Sequence, residues 1–409
     1  MTAIQTPDAA VAAVTPAISS DAETLLERAR RIAPIIREHA ETTERERRVA
    51  KPVLDALASA GFNRLLAPKT LGGLEVDPIT CFRIVEELAR SDSAAAWVLQ
   101  SGNVNAWWAS RLPEQGVQEI YSKTPDVMVA AAFHPPQQAT VADGGYRISG
   151  RAPLASMIHD CEWVLFSAFI MESGQPRMTP HGPAMIAVLL RAAEVQVIDT
   201  WYSLGMRGTD SNDAAFSDVF VPTHRTFPLQ PDFEPGEHFR GPLYRFPAAP
   251  IIALFSAGVL LSAARGAIDE FRELAQRKVP MGSMKSLRDR GVVQAGLAEA
   301  EATWRSARAF FVGTLSDAWQ RTVAGQPNTL THRADLLLAG VNAARASAQV
   351  TESMHRLAGT TGIYTRSPLE RYFRDAHTLR HHGFASESKL ESVGQIYLGL
   401  QPDFPLVAF

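Results

Sequence analysis

Three histidines lie within six positions near the end of the chain, in the segment RDAHTLRHHGF at residues 374–384. An imidazole titrates close to neutral pH, so such rings suit proton transfer. His377 and His381 are four residues apart, which is the spacing of one helical face, and a pair so placed can hold a metal ion. The stretch HTLRH lacks the glutamate of the zinc-binding H-E-x-x-H pattern, and we therefore expect no metal site. One ring is expected to move protons, while the others position groups or lie at the surface.

The composition is that of an ordinary globular protein. Of the 409 residues, 46% are hydrophobic and 20% are charged, and the net charge is -3, so we expect no basic surface for nucleic acid. No apolar run reaches the roughly 18 residues that a membrane span requires. Residues 1–20 lack the basic start of a secretion signal and are expected to form a disordered leader. The two cysteines, Cys81 and Cys161, lie far apart in the sequence, which favours a reducing, cytoplasmic location.

The spacing of hydrophobic residues changes twice along the chain and predicts three domains. Residues 21–125 repeat apolar side chains every three to four positions, which is typical of helices. Residues 126–240 contain short β-branched or aromatic runs separated by Gly, Pro and Asp, which indicates a small β-barrel or sandwich. Residues 241–409 return to long amphipathic stretches with small residues at helical spacing, as in a helical bundle.

Three segments, in a fixed order, carry a family resemblance. They are DGGYRISGRAPLASMIHDCEW at 143–163, LGMRGTDSNDAAFSDVFVP at 204–222 and HRLAGTTGIYTRSPLERYFRDAHTL at 355–379. They resemble the flavin-facing strand, the G-x-R-G turn and the R-x-x-R-D helix start of the acyl-CoA dehydrogenase superfamily. The resemblance implies an α+β multidomain fold with an N-terminal helical domain, a middle β-barrel domain and a C-terminal four-helix bundle. It also implies a homotetramer.

A few positions distinguish the branches of this superfamily. Many of its dehydrogenases place a catalytic Glu nine residues after the Arg of the Arg-Asp pair, where this chain has Gly383. Others carry the Glu on the first bundle helix, but residues 245–266 contain no acid. The chain instead resembles the oxygenase components of two-component flavin monooxygenases, such as the 4-hydroxyphenylacetate and dibenzothiophene types. Ser156 begins an S-x-x-x-x-C-x-W pattern, and His382 stands eight residues after Arg374, as in that branch.

The chemistry of this branch implies roles for Ser156 and His382. A reduced flavin reacts with oxygen to give a C4a-hydroperoxide, which survives only if flavin N5 is hydrogen-bonded and water is excluded. Ser156 is the expected hydroxyl donor beside N5, and His382 is the expected proton-transfer group. Met157 stands where a Gly is common in the aromatic hydroxylases, which bears on the substrate class. Because no G-x-G-x-x-G is present, reduced FMN or FAD would come from a separate flavin reductase.

The resemblance also implies further contacts with flavin and substrate. The residues expected to bind the flavin are Ser156, Ala155, Arg277, Gly359, Thr360 and Thr361, and those expected to line the substrate pocket are Trp97, Trp108 and His377. The residue types alone leave plainer alternatives open. These are a solvated arginine at a helix end, a helix cap at Gly359, and core packing of the tryptophans.

We therefore expect a flavin-dependent monooxygenase that uses O2 and acts on a small, aromatic or heteroaromatic molecule. One alternative is an FAD-dependent acyl-CoA dehydrogenase whose catalytic base is displaced. A second alternative is a non-catalytic flavin-binding scaffold of the same fold.

Overall fold

The computed structural model describes residues 20–179, 182–230 and 233–408. In this part of the chain six α-helices precede the first strand: Ser20–Glu38 (α1), Ala40–Glu46 (α2), Lys51–Ser59 (α3), Pro78–Ala89 (α4), Ser93–Trp107 (α5) and Glu114–Tyr121 (α6). The predicted leader lies outside the described residues, except for Ser20, where α1 begins.

Helices α4 and α5 each begin at an aspartate whose side chain caps the helix. The Asp77 carboxylate accepts hydrogen bonds from the backbone N–H groups of Ile79 and Thr80, both at 2.9 Å. Asp92 accepts one from the N–H of Ala95 at 2.7 Å. Helix α5 contains no charged residue, and most of its side chains are buried. It packs both on the sheet and on the C-terminal helices, and so lies at the centre of the molecule.

The middle of the chain forms a curled, mixed β-sheet. Its strands and the short neighbouring ones are β1 (Val129–Ala142), β2 (Gly145–Ala155), β3 (Trp163–Glu172), β4 (Gln175–Pro176), β5 (Met178–Thr179), β6 (Gly182–Pro183), β7 (Met185–Arg191), β8 (Gln196–Ile198), β9 (Asn212–Pro222) and β10 (Thr226–Pro228). The eight-stranded sheet has the order β10-β7-β3-β1-β2-β9-β8, with β4 paired to β3. Strands β1 and β3 are parallel, and the other neighbours are antiparallel.

The curl of the sheet is visible in contacts between strands that are not neighbours. Strands β7 and β9 stand four places apart in the order, yet they approach each other. The rings of Phe166 on β3 and Phe216 on β9, strands that are also not neighbours, pack with centroids 4.6 Å apart. The sheet thus encloses an apolar interior in the manner of a barrel, with β8 and β10 as its edges.

The rest of the described chain is helical: Ala248–Arg277 (α7), Gly291–Val323 (α8), Leu330–Ala358 (α9), Pro368–Leu379 (α10) and Lys389–Tyr397 (α11). Helix α9 packs against the other four. Small buried residues such as Ala339, Ala343 and Ser347 allow this close approach. None of the helices in the described ranges is long and apolar enough to cross a membrane. The predicted domain boundaries near 125 and 240 fall in the connections before β1 and before α7, and the division into three domains stays a prediction.

Helix α10 is docked on the sheet through the turn that precedes β9. The Asp375 carboxylate accepts a hydrogen bond from the backbone N–H of Met206 at 2.6 Å, and the Arg374 guanidinium donates to the carbonyl of Leu204 at 2.8 Å. A Cβ on Gly205 would lie 2.3 Å from the carbonyl oxygen of Arg374, so the turn approaches the helix too closely for any side chain. This contact explains why the G-x-R-G and R-x-x-R-D segments occur together.

Burial raises the pKa of Asp375 to about 7, and nearby Asp92 adds to this effect. The Met206 N–H and the guanidinium groups of Arg371 and Arg374 act in the opposite direction but do not overcome it. The folded protein therefore holds a proton on this carboxyl group at pH values where the unfolded chain, with a pKa near 4, has lost it.

This difference makes stability depend on pH in a defined direction. Between pH about 4 and 7 the folded state binds the extra proton, so the contribution of Asp375 to stability falls as the pH rises. Asp375→Asn keeps an acceptor for Met206 but cannot ionise. The unfolding free energy of Asp375→Asn minus that of the parent should therefore increase by on the order of 1 to 3 kcal/mol from pH 5 to pH 8. Urea unfolding followed by tryptophan fluorescence at both pH values measures it.

The exposed carboxylate of Asp143 provides the control. Asp143→Asn should differ from the parent by the same amount at both pH values. If Asp375→Asn behaves in the same way, Asp375 is ionised throughout this range in the folded protein.

Candidate active site

Ser156 lies at the point where β2 meets α5. It directly follows β2, and its Oγ accepts a hydrogen bond from the indole Nε1–H of Trp97 on α5 at 3.0 Å. The next residue, Met157, is buried and has a φ of +57°, a left-handed conformation that glycine adopts more easily than any other residue. Its N–H donates to the carbonyl of Thr209 at 2.8 Å, which holds the turn. The left-handed backbone accounts for the glycine that is common at this position in the aromatic hydroxylases.

A chain of three hydroxyl groups connects Ser156 to the turn under α10. The Oγ atoms of Ser156 and Ser211 are 2.8 Å apart, and Ser211 Oγ lies 2.6 Å from Thr209 Oγ1. Thr209 donates to the carbonyl of Met206 at 2.9 Å. Each hydroxyl has one hydrogen, so Thr209 must accept from Ser211, and Ser211 from Ser156. All hydrogens therefore point away from Trp97, and Ser156 keeps one free lone pair.

His382 packs against the ring of Trp97. The two ring centroids are 5.0 Å apart in an edge-to-face arrangement, and the backbone N–H of Phe384 approaches His382 Nδ1 at 3.4 Å. This contact assigns the lone pair to Nδ1 and the proton of the neutral ring to Nε2. Desolvation lowers the pKa of His382 to about 4. The ring is thus neutral at physiological pH, whereas the sequence suggested an ordinary imidazole with a pKa near 6.5.

The other two clustered histidines point elsewhere. The His377 ring packs on Phe373 at 4.4 Å between centroids, and Phe373 packs on His355 of α9 at 4.7 Å. Desolvation, followed by the charge of Arg380, lowers the pKa of His377. His381 is exposed. The structure does not join His377 to Trp97 or Ser156, and its place in the substrate pocket stays a prediction. No group of three or more His, Cys, Asp or Glu side chains in the described residues is arranged to hold a metal ion.

Trp108 packs in the core rather than beside Ser156. Its ring lies between Phe227, stacked at 6.0 Å, and Phe133 at 5.7 Å, and the guanidinium of Arg111 lies 4.8 Å from its ring centroid. Its indole nitrogen is buried and has no partner among the described residues. Its contribution to a substrate pocket stays a prediction.

The predicted flavin-binding residues fall into two separate groups. Ala155 is fully buried next to Ser156, whereas Gly359, Thr360 and Thr361 follow the end of α9, where Gly359 has a φ of +56°. Gly359 and Thr360 are exposed. No contact within the described chain joins this second group to Ser156.

Lys278, not Arg277, holds the segment after α9. Its Nζ donates to the carbonyl of Ala358 at 2.6 Å and to Thr361 Oγ1 at 2.7 Å. Arg277 is exposed and has no ion pair with any residue that the structure describes, and its predicted contact with flavin stays a prediction. The sequence offered one signal for Lys278, because a cation just beyond a helix end is well placed to bind the last carbonyl groups of a neighbouring helix.

A second polar pair, which sequence reasoning missed, fixes the turn after Ser156. His159 Nδ1 lies 2.8 Å from Asp210 Oδ1, and the N–H of His159 donates to Asp210 Oδ2 at 2.9 Å. Arg48 donates to Asp160 at 2.6 Å and to the carbonyl of His159 at 3.1 Å. The turn that carries Ser156 is thus tied to both α2–α3 and the segment before β9. His159 and Asp160 stand inside the S-x-x-x-x-C-x-W pattern, which was their only sequence signal.

Known proteins share both the sequence pattern and the fold. The family models "Acyl-CoA dehydrogenase, N-terminal domain" and "Acyl-CoA dehydrogenase, C-terminal domain" match residues 19–112 and 254–387. An indole-3-acetate monooxygenase of Pseudomonas putida is 32% identical over 88% of this chain and 90% of that protein. An FADH2-dependent resorcinol hydroxylase, oxygenase component, of a Rhizobium species is 26% identical over 91% of this chain and 93% of that protein.

A solved structure extends the likeness to three dimensions. The HsaA monooxygenase of Mycobacterium tuberculosis has a TM-score of 0.87 at 25% identity, and the match covers 94% of this chain and 99% of that one. The predicted fold class and the family resemblance are confirmed. The chain belongs to the acyl-CoA dehydrogenase family, and within it to the flavin-dependent monooxygenases.

Proposed function

We propose that the chain is the oxygenase component of a two-component flavin-dependent monooxygenase, which transfers one atom of O2 to a small aromatic or heteroaromatic molecule. The observation that carries the proposal is the group formed by Trp97, Ser156 and His382, in which a hydroxyl and a neutral imidazole both contact one indole ring. The names of the relatives support an aromatic substrate, since they include indole-3-acetate and resorcinol. They also support the supply of reduced flavin by a separate reductase.

The residues around Ser156 fit a reduced flavin, either FMN or FAD. The one-way hydroxyl chain leaves Ser156 with a free acceptor position, and N5 of a reduced flavin carries a hydrogen that needs one. The role of Ser156 is therefore that of an acceptor toward N5, the reverse of the donor that its hydroxyl suggested from sequence. The buried methyl group of Ala155 and the ring of Trp97 add apolar surface for an aromatic cofactor.

When bound, the reduced flavin supplies the electrons that reduce O2, so that one oxygen atom enters the substrate and the other leaves as water. Trp97 and Ser156 hold the cofactor side of the site and exclude water from it. His382 offers its Nε2–H to a substrate oxygen. Because Nε2 already carries the hydrogen of the neutral ring, His382 acts on that oxygen as a hydrogen-bond donor, which stabilises negative charge that develops there.

We further propose a cytoplasmic homotetramer. Apolar side chains are exposed on the loop after α7 and on the segment after α9, including Met281, Met284 and Ile363, as expected of surfaces that meet other subunits. The exposed Gly359 and Thr360 would then reach the flavin of a neighbouring subunit. Cys81 and Cys161 form no disulfide with each other, which agrees with a reducing compartment.

The first prediction of this proposal separates it from acyl-CoA oxidation. The purified chain, mixed with reduced FMN or FAD, oxygen and an aromatic such as resorcinol or indole, should form an oxygenated product without any acyl-CoA. Oxidised flavin bound to the protein should not be bleached by acyl-CoA thioesters, because both positions used for the catalytic Glu lack an acid. Rapid bleaching would instead support the dehydrogenase, and flavin binding with neither product formation nor bleaching would support the non-catalytic flavin-binding scaffold.

The second prediction concerns Ser156. Ser156→Ala removes the acceptor for the flavin and for Trp97, so more oxygen should be released as hydrogen peroxide and less should enter product. The loss of one buried hydrogen bond corresponds to about 1 to 3 kcal/mol. The measurement is the ratio of peroxide to product at equal oxygen consumption. Ser211→Ala keeps the Ser156 hydroxyl but removes the oxygen to which that hydroxyl donates, and it should give a smaller rise in peroxide. An unchanged ratio in Ser156→Ala would remove Ser156 from the site.

The third prediction distinguishes the histidines. His382→Asn keeps part of the hydrogen bonding but cannot place a donor where the imidazole Nε2–H stands, so product formation should fall by about 10²- to 10³-fold while oxygen consumption continues. His381→Asn, at an exposed position, should resemble the parent. His377→Asn should give at most a small effect, since His377 packs against α9 instead. A large loss in either of the latter two variants, with normal product formation in His382→Asn, would assign the role of His382 to that other histidine.

A further inference from the structure

A cavity lies between helices α3 and α5 and the turn that follows Ser156. Its volume is about 100 Å³. Six of the eight residues that line it have apolar side chains: Leu54, Leu57, Val98, Leu99, Met128 and Met157. The other two, Asn63 and Asp160, are half-buried, so the cavity meets the surface at its polar end. The proposed mechanism gives this space no role.

The cavity adjoins the contact between Trp97 and Ser156. Val98 and Met157, which line it, are the chain neighbours of these two residues. Trp97 Nε1 donates to Ser156 Oγ at 3.0 Å, so the two backbone segments that meet through this hydrogen bond also form part of the cavity wall. Successive side chains on a helix point about 100° apart, so Val98 can face the cavity while Trp97 faces Ser156.

The size and the lining of the cavity restrict what it can hold. A buried water molecule needs about two to four polar partners, which six apolar side chains do not supply. The Asp160 carboxylate already accepts a hydrogen bond from Arg48 Nε at 2.6 Å. Pockets that bind drug-sized ligands measure about 300 to 1,000 Å³, so an aromatic substrate does not fit. Apolar cavities stay dry and bind small apolar molecules such as xenon. Dioxygen is the reactant of the proposed reaction that has these properties.

Two methionine side chains form the wall of the cavity beside α5. A Cβ on Gly102 would lie 2.6 Å from Met128 Sδ and 3.3 Å from Met157 Sδ, so both thioethers pack where the helix has no side chain. A methionine side chain is unbranched and flexible, and it changes its shape at low cost. Met157 is also the residue next to Ser156, so its side chain is a movable part of the wall close to the proposed flavin position.

We propose that the cavity binds dioxygen and delivers it to the flavin side of Ser156 past the side chain of Met157, which acts as a gate. The inference rests on the proposed function, because that function places reduced flavin beside Ser156. No bond forms or breaks in this step: dioxygen leaves water for an apolar space and then moves to the reaction site. The cavity therefore determines how fast dioxygen arrives and not how its atoms are used afterwards.

Xenon tests the cavity without flavin. Crystals of the full chain held under xenon gas should show a xenon atom among Leu57, Leu99 and Met157 by anomalous diffraction. Leu57→Phe adds volume to a side chain that lines the cavity, so this variant should not take up xenon there. A parent cavity that stays empty under xenon would overturn the inference.

Stopped-flow mixing tests the route. Reduced flavin is bound to the protein without oxygen and is then mixed with buffers of increasing dioxygen concentration. Leu57→Phe should lower the second-order rate constant by about tenfold, or about 1.4 kcal/mol in the barrier. The ratio of peroxide to product should stay that of the parent, because Leu57 belongs to α3, outside the group formed by Trp97, Ser156 and His382. Leu57→Ala, the matched control, enlarges the cavity and should not lower the rate constant.

A second variant acts on the gate itself. Met157→Gly suits the left-handed backbone at this position, where φ is +57°, and removes the side chain between the cavity and Ser156. Its rate constant with dioxygen should be higher than that of the parent. A lower rate constant in this variant would contradict a gate at Met157.

Two further outcomes would overturn the inference. One is a parent-like rate constant in Leu57→Phe after its cavity has lost xenon, because dioxygen would then arrive by another route. The other is an equal loss of rate in Leu57→Phe and Leu57→Ala, which would report disturbed packing instead of a blocked cavity. Failure of the proposed function is distinct: the parent would form no oxygenated product from any aromatic compound, whatever the xenon experiment shows.

Discussion

The hydrogen bond between the Asp375 carboxylate and the N–H of Met206 fixes the sheet relative to the C-terminal helices. It joins residues 169 positions apart in the sequence, and it is buried, so no water competes for either partner. Arg374 adds a second attachment to the same turn and also pairs with Glu44 of α2 at 2.5 Å. Helices from both ends of the chain and the segment leading into β9 therefore meet at one pair of residues.

The geometry of the active site follows from this attachment through a closed series of contacts. The turn held by Asp375 carries Thr209 and Ser211, which position the hydroxyl of Ser156. Ser156 is bonded to Trp97, and Trp97 packs against His382. His382 follows the end of α10, the same helix that carries Asp375. The sheet side of this series positions Ser156, and the helix side positions His382, with Trp97 in contact with both.

The sequence was sufficient for the fold class because the fold class depends on patterns in one dimension: periodicity separated helices from strands. Motif positions selected Ser156 and His382 as candidates, and their roles stay predictions. Other features depend on distant parts of the chain. The low pKa of His382 arises from desolvation by packed neighbours, and the hydrogen bond from Lys278 to the carbonyl of Ala358 depends on where α9 ends. Local spacing does not record either effect.

The hydroxyl hydrogens of the site all point in one direction along the series, so the directions of these hydrogen bonds are coupled. Every O–H between Trp97 and Met206 has a single hydrogen, so reversing one hydrogen bond requires all the others to reverse together. Such a reversal would leave the carbonyl of Met206 without the hydroxyl donor and direct the hydrogen of Ser156 into the position that is open to a cofactor. The backbone carbonyl of Met206 thus sets the direction of the series, and the electrostatic polarity that a bound cofactor would meet is set by groups that do not titrate.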